Sequence, residues 1–316
     1  MADTAVPAAR ASRPAQKHRT ASHEPQPSSY TRRVTTTHDT SRRQRAGVVA
    51  GVGLLVGVVV VAWRTLPQQP DQFALTPAAG IAAMAVITIA AVSLQFRLMG
   101  DLLDVTLTLR TAALTTIVSV VANLLPLPGA AMTRYVVLKR HGAASGTIAT
   151  TLVATAGLWL SFGLFVAAVP VSAQHTWPSI ALATAGALGT AISWGLLRKC
   201  GGSTKQLSAL SATQVMLIVL GITRLWLAFI ALGFGASFVD TAALAAAAPA
   251  SAAVGFFPSG IGLRELLASL LGPLGGLNGS EAALATAIDR AIGLAALLPV
   301  ALIVSRRWGP AAPQSQ

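Results

Sequence analysis

The chain has 316 residues, of which 53% are hydrophobic and only 10% charged, and a formal net charge of +13. Soluble domains carry roughly 25% charged residues, so a water-soluble globule is excluded as the body of this chain. The basic excess is not a nucleic-acid footprint: nine of the 23 Lys/Arg fall in the first 45 residues, and most others sit at the ends of apolar runs, the distribution that sets membrane topology.

Successive apolar runs of about 20 residues predict an all-α polytopic membrane protein, and the alternating segments of a β-barrel are not seen. The single cysteine, Cys200, excludes an intrachain disulfide and any Cys-rich metal site. Residues 1–45 are rich in Ser, Thr, Pro and Arg and read as a disordered basic tail. They are not a signal peptide, because the apolar run starts too late. Arg42, Arg43 and Arg45 abut the first span and predict a cytoplasmic N-terminus.

A membrane domain is expected over 46–308, followed by a short cytoplasmic tail, 309–316. The first span is 47–63, and the loop 65–78 holds three prolines and no Lys/Arg. The second span, 79–96, returns to the cytoplasm at Arg97. An apolar run from 102 to 125 then stops at Asn123-Leu124-Leu125-Pro126-Leu127-Pro128-Gly129. Proline removes a backbone donor and ends a helix. If 105–125 crossed the membrane, Arg134, Lys139, Arg140 and His141 would lie outside, against the positive-inside rule. A re-entrant hairpin over 105–140 removes the conflict; a full crossing with one badly charged loop is the alternative.

Spans at 147–169, 179–197 and 213–234 follow, with an external loop at 170–178 and a basic cytoplasmic one around Arg198, Lys199 and Lys205. The run 241–257 breaks at Pro258-Ser259-Gly260-Ile261-Gly262 and leaves through 263–271. The last span is 282–304, ending at Arg306 and Arg307. The total is six full transmembrane helices plus two opposed re-entrant hairpins, or eight membrane segments, in an inverted-repeat-like arrangement. Paired Gly/Pro breaks in corresponding halves point to a transporter's binding site.

Ionisable residues within spans are functional candidates by default. Arg224 lies 11 residues into the run starting at Thr213, or about 16 Å along a helix. It pairs with Asp289 or Glu265, or meets a lipid phosphate, for which the planar guanidinium fork is suited. Arg264 and Glu265 fall in the first turn after the second break, where the amides of 260–263 also suit an anion. Asp289 and Arg290 are adjacent and face different neighbours. Arg110 reads as a shallow snorkelling arginine. Asn278-Gly279-Ser280 matches a glycosylation sequon and reads as a helix start with Ser280 as N-cap. His141 and His175 fall in loops expected on opposite faces. No enzyme constellation, metal-ligand cluster or cofactor motif is present in the sequence.

The Asn-Leu-Leu-Pro break with a downstream arginine resembles the transmembrane-region family of lysylphosphatidylglycerol synthase, the flippase-like domain family. So does Pro-Ser-Gly-Ile-Gly-Leu-Arg-Glu followed by Asp-Arg in a final helix. The likeness runs over roughly 46–308. It implies movement of aminoacylated phosphatidylglycerol or polyprenyl-linked lipids between leaflets. Asn123, Pro126, Gly129 and Arg134 match the first break; Pro258, Gly260, Gly262, Arg264 and Glu265 match the second; Arg290 matches the late arginine. The family often has an acidic residue just after the first Pro-Gly, where this chain has Ala130-Ala131-Met132. A cationic headgroup loses a partner there, which argues against a lysyl-lipid. Nine residues follow Arg307, so no appended synthase domain is expected.

The sequence therefore leads to a bacterial inner-membrane flippase-like protein with both termini cytoplasmic. Its partner is an anionic phospholipid or polyprenyl-linked lipid, and it takes no nucleic acid and no cofactor. The headgroup-binding candidates are Arg224, Arg264, Glu265, Asp289, Arg290, Arg134 and Asn123. The alternative is a non-transporting accessory subunit of a membrane lipid or glycan enzyme.

Overall fold

The computed structural model describes residues 73–122, 129–254 and 262–307, with six helical positions between 56 and 64. The expected tails at 1–45 and 309–316, most of the first span and the break residues Asn123, Pro126, Pro128, Pro258 and Gly260 lie outside the described residues. Every regular element among the described residues is a helix. In chain order these are α1 (Leu75–Leu102), α2 (Leu109–Ala122), α3 (Gly129–Arg140), α4 (Ser145–Gln174), α5 (Thr176–Lys199) and α6 (Thr204–Ala231). Then come α7 (Phe238–Thr241), a 3-10 turn (Ala242–Ala246), α8 (Ala247–Val254), α9 (Leu263–Leu271), a second 3-10 turn (Pro273–Gly275) and α10 (Gly279–Arg307). Four of them, α1, α4, α5 and α6, are long and apolar enough to cross a membrane.

α1 and α6 run antiparallel. The Ala74 N–H donates to the Ala231 carbonyl at one end of the pair (2.9 Å), and Gln206 Nε2 donates to the Asp101 carbonyl at the other (3.1 Å). Each end of the bundle has its own apolar core. Near the Asp101 end, Phe96, Met99, Leu107, Leu138, Leu197 and Leu207 pack together. Near the Ala231 end, Ile81, Leu225, Phe229, Leu244, Ala268 and Leu277 do so. Leu107 precedes α2 and Leu138 is in the last turn of α3. Both feet of the α2–α3 pair therefore stand on the Asp101-end core. The second short-helix pair has both feet on the other: Leu244 comes before α8, and Leu277 after α9. α10 packs against α1, α2, α6 and α9 and so touches both groups.

Several expected boundaries move, each for a local reason. The run 102–125 is interrupted: Asp104 takes a left-handed φ of 55°, which Asp tolerates better than most residues. The Val105 N–H turns back to the Gly100 carbonyl, and α2 begins only at Leu109. The external loop at 170–178 is replaced by a one-residue joint. Pro170 sits inside α4, Pro178 lies in the first turn of α5, and only His175 lies between the helices. A proline in the first turn needs no donor. α6 starts nine residues earlier than the apolar run, at Thr204, because Ser203 and Gln206 form a reciprocal capping box. Arg224 is accordingly seven residues from the C-terminal end of its helix, about 10 Å deep, rather than central. Asn278, not Ser280, caps α10: its Oδ1 accepts from the amides of Ser280 (2.9 Å) and Glu281 (3.4 Å).

Gly129 is fixed by a close approach. A β-carbon there would collide with the carbonyl of Ala122, so the end of α2 and the start of α3 touch backbone to backbone. Gly129→Ala forces the pair apart and should destabilise the protein by about 1–3 kcal/mol. Gly146→Ala, in open space on α4, serves as the neutral control in a thermal-unfolding comparison.

Candidate functional site

Five of the sequence-predicted residues meet in one cluster, where α6, α9 and α10 converge. Asp289 is its hub. Arg224 reaches Oδ1 of Asp289 through Nε and Nη2, both at 2.9 Å, and Nη2 also lies 3.4 Å from the Asp289 carbonyl. Arg264 Nη2 binds the other oxygen, Oδ2, at 3.1 Å. Arg290 Nη1 pairs with Glu265 Oε1 at 3.0 Å. The adjacent residues Asp289 and Arg290 do face different partners, as expected for neighbours on a helix.

The carboxylates are the deepest members. Glu265 is fully buried and the Asp289 side chain is 2% exposed, whereas the Arg224, Arg264 and Arg290 side chains are 11–18% exposed. Glu265 has a second task. Gly262 holds a φ of 79°, and its N–H donates to Glu265 Oε2 at 2.8 Å, closing the first turn of α9. One of the amides expected to be open for an anion is thus already occupied by the carboxylate three residues on. The positive φ is suited to glycine at this joint.

Two details were not foreseen in the sequence. Gly293, one turn after Asp289, leaves room for the Arg224 guanidinium, since a β-carbon there would come within 2.7 Å of Nη2. A glycine four residues after a buried acid is a signal the sequence did carry. Arg264 Nε is buried with no hydrogen-bond partner, although the terminal nitrogen of the same side chain is paired.

Three arginines and two carboxylates leave one unit of positive charge in a site lined by apolar helices. A buried cation without full compensation is unfavourable, and an anion brought to it regains hydrogen bonds in a low dielectric. The arrangement can therefore take one further anionic oxygen group. No described residue supplies a nucleophile–base pair here, and no group of three or more His, Cys, Asp or Glu that could hold a metal occurs among the described residues.

The other candidates stand apart. Arg134 is outside the cluster: it lies on α3 with its guanidinium 5.7 Å from the centre of the Phe96 ring. Arg110 is the second residue of α2 and exposed. Asn123 lies outside the described residues. In comparisons with known proteins, no family model and no curated protein matches the chain.

Proposed function

We propose that the chain is a flippase-like protein of a bacterial inner membrane that binds the phosphate of an anionic phospholipid or polyprenyl-linked lipid and passes the headgroup between leaflets. The observation that carries this reading is the buried Arg224–Asp289–Arg264 and Arg290–Glu265 cluster, with its excess positive charge and the unpartnered Arg264 Nε. A phosphate diester carries the one negative charge the cluster lacks. It accepts hydrogen bonds in the forked geometry arginine donates. Asp289 and Glu265 hold the guanidiniums in place, so the site is organised before the lipid arrives. The acyl tails stay in the bilayer while only the headgroup enters.

The membrane arrangement proposed is six full spans and two re-entrant hairpins from opposite faces, with both termini cytoplasmic. Element lengths support it. The 14 residues of α2 and the nine of α9 extend about 21 and 14 Å, against a hydrocarbon core of about 30 Å. The feet of the two short-helix pairs stand on different cores. Basic residues agree: Lys139, Arg140, Arg198, Lys199 and Lys205 lie in the terminal turns of helices that meet at the Asp101 end, which is then the cytoplasmic one. Trp177, 82% exposed at the start of α5, suits the opposite interface. The resemblance of the two breaks to the lysylphosphatidylglycerol synthase transmembrane family supports a lipid as the cargo, and Ala130-Ala131-Met132 points to a headgroup without a lysyl cation.

The test is headgroup accessibility in vesicles. Proteoliposomes carry a trace of headgroup-labelled fluorescent phosphatidylglycerol, and an impermeant quencher is added outside. The expected result is loss of the inner-leaflet signal that protein-free vesicles retain. Retention of that signal at the protein-free rate overturns transport and leaves the accessory-subunit reading.

A further inference from the structure

Arg134 is a further arginine set partly into the bundle, and among the described residues no acid pairs with it. Its Nε is buried without a hydrogen-bond partner, and among the described residues it makes no ion pair. Among the described residues its guanidinium carbon lies 5.7 Å from the centre of the Phe96 ring. A ring face attracts a cation without accepting a conventional hydrogen bond, so the contact does not satisfy the guanidinium's N–H donors. A second orphan lies at the same depth. α2 and α3 touch at Ala122 and Gly129. Counting back six residues along α2 gives Thr116, and counting forward five along α3 gives Arg134. The Thr116 hydroxyl is buried and unpartnered, although on the same helix the Thr115 hydroxyl donates to the Thr111 carbonyl and the Ser119 hydroxyl to the Thr115 carbonyl. A buried guanidinium Nε on a partly buried cation and a buried hydroxyl, both short of a partner, are the donors a phosphate oxygen requires.

This place is remote from the Asp289 cluster. Phe96 lies five residues before Asp101, which pairs with Gln206, so it stands beside the level of Ser211 on antiparallel α6. Arg224 is thirteen residues further along α6, about 20 Å away.

We infer that Arg134 and Thr116 form a second, separate phosphate-binding station near the Asp101 end of the bundle, which takes the same anionic lipid headgroup as the Asp289 cluster from the other side of the membrane. The inference rests on the lipid-phosphate reading above. Each half of the molecule then has one phosphate site reached from its own leaflet, with unlike chemistry. The Asp289 site is held by carboxylates. The Arg134 site has no carboxylate, so it holds its anion more tightly against neutral lipid and is the receiving station.

Native mass spectrometry of the full chain, titrated with phosphatidylglycerol against a phosphatidylcholine background, counts bound anionic lipids. Wild type is expected to retain two, and Arg134→Gln one, with the lost site weakened by about tenfold to a hundredfold. Arg264→Gln should lose the other lipid and keep the Arg134-dependent one. Two lipids retained in Arg134→Gln overturn the second station and leave the Asp289 site standing. No preference for the anionic lipid in wild type overturns both readings. If Arg134→Gln does not fold, Arg134→Lys keeps the charge and loses the fork. Weaker binding of one lipid then supports the station, and two unchanged affinities overturn it. A parallel titration with inorganic phosphate separates the sources. Arg134-dependent phosphate binding without lipid keeps the phosphate site and overturns the lipid as its source.

Discussion

Asp289→Ala is expected to lower the stability of the protein by about 3 kcal/mol, because it strands two buried cations at once. Among the described residues Asp289 is the one carboxylate paired with Arg224 and with Arg264, and both lose it. The site changes from one excess positive charge to two. Both side chains keep 15–18% exposure, so water relieves part of the loss and the effect sits at the lower end of the range for broken buried pairs. Asp289→Asn is the informative partner variant. Its carbonyl still accepts one hydrogen bond, so it should fall between wild type and alanine. Unfolding in a fixed detergent, followed by tryptophan fluorescence, checks this. An unchanged midpoint for Asp289→Ala shows that the hub contributes nothing to the fold.

The second large effect falls at Glu265. Fully buried, it answers Arg290 and caps the Gly262 amide. Glu265→Ala removes both and opens a cavity, and should cost about 3–5 kcal/mol. Glu265→Gln separates the contributions. An amide oxygen can still accept from Gly262, so the cap survives, worth typically about 1 kcal/mol. Only the charge on Arg290 is then unanswered. The same unfolding measurement on both variants reads the split. Equal losses in Gln and Ala assign the whole effect to the ion pair. A loss confined to Ala assigns it to the cap and to packing.

Residue chemistry made the site partners legible before the fold was. Arg224, Arg264, Glu265, Asp289 and Arg290 stand out because ionisable groups in apolar runs must find one another, and the structure brings all five together. The helix α9 appears at its expected bounds, Leu263–Leu271, because Gly262 and Gly272 flank a short run of helix formers whose first turn is closed by Glu265. Other boundaries followed chemistry that hydropathy does not weigh. α6 began with the polar capping box at Ser203. α4 absorbed Pro170, and His175 alone served as a loop. Asp104 broke the run after α1 by taking a left-handed conformation, which composition alone does not reveal. Arg134 matched a motif but not the site. A sequence shows that an arginine follows an apolar break, but only packing shows that the Phe96 ring lies against it.

The most direct test of the account is the rate of phosphatidylglycerol translocation in proteoliposomes for Arg264→Gln. This variant removes the arginine with the free Nε. Arg224 and Asp289 remain paired, so the fold is kept and the excess charge is cancelled. The account predicts a rate lower by about tenfold or more, equivalent to losing one charged hydrogen bond to phosphate, with an unfolding midpoint close to that of wild type. A variant that folds as well as wild type and translocates the lipid equally fast contradicts it.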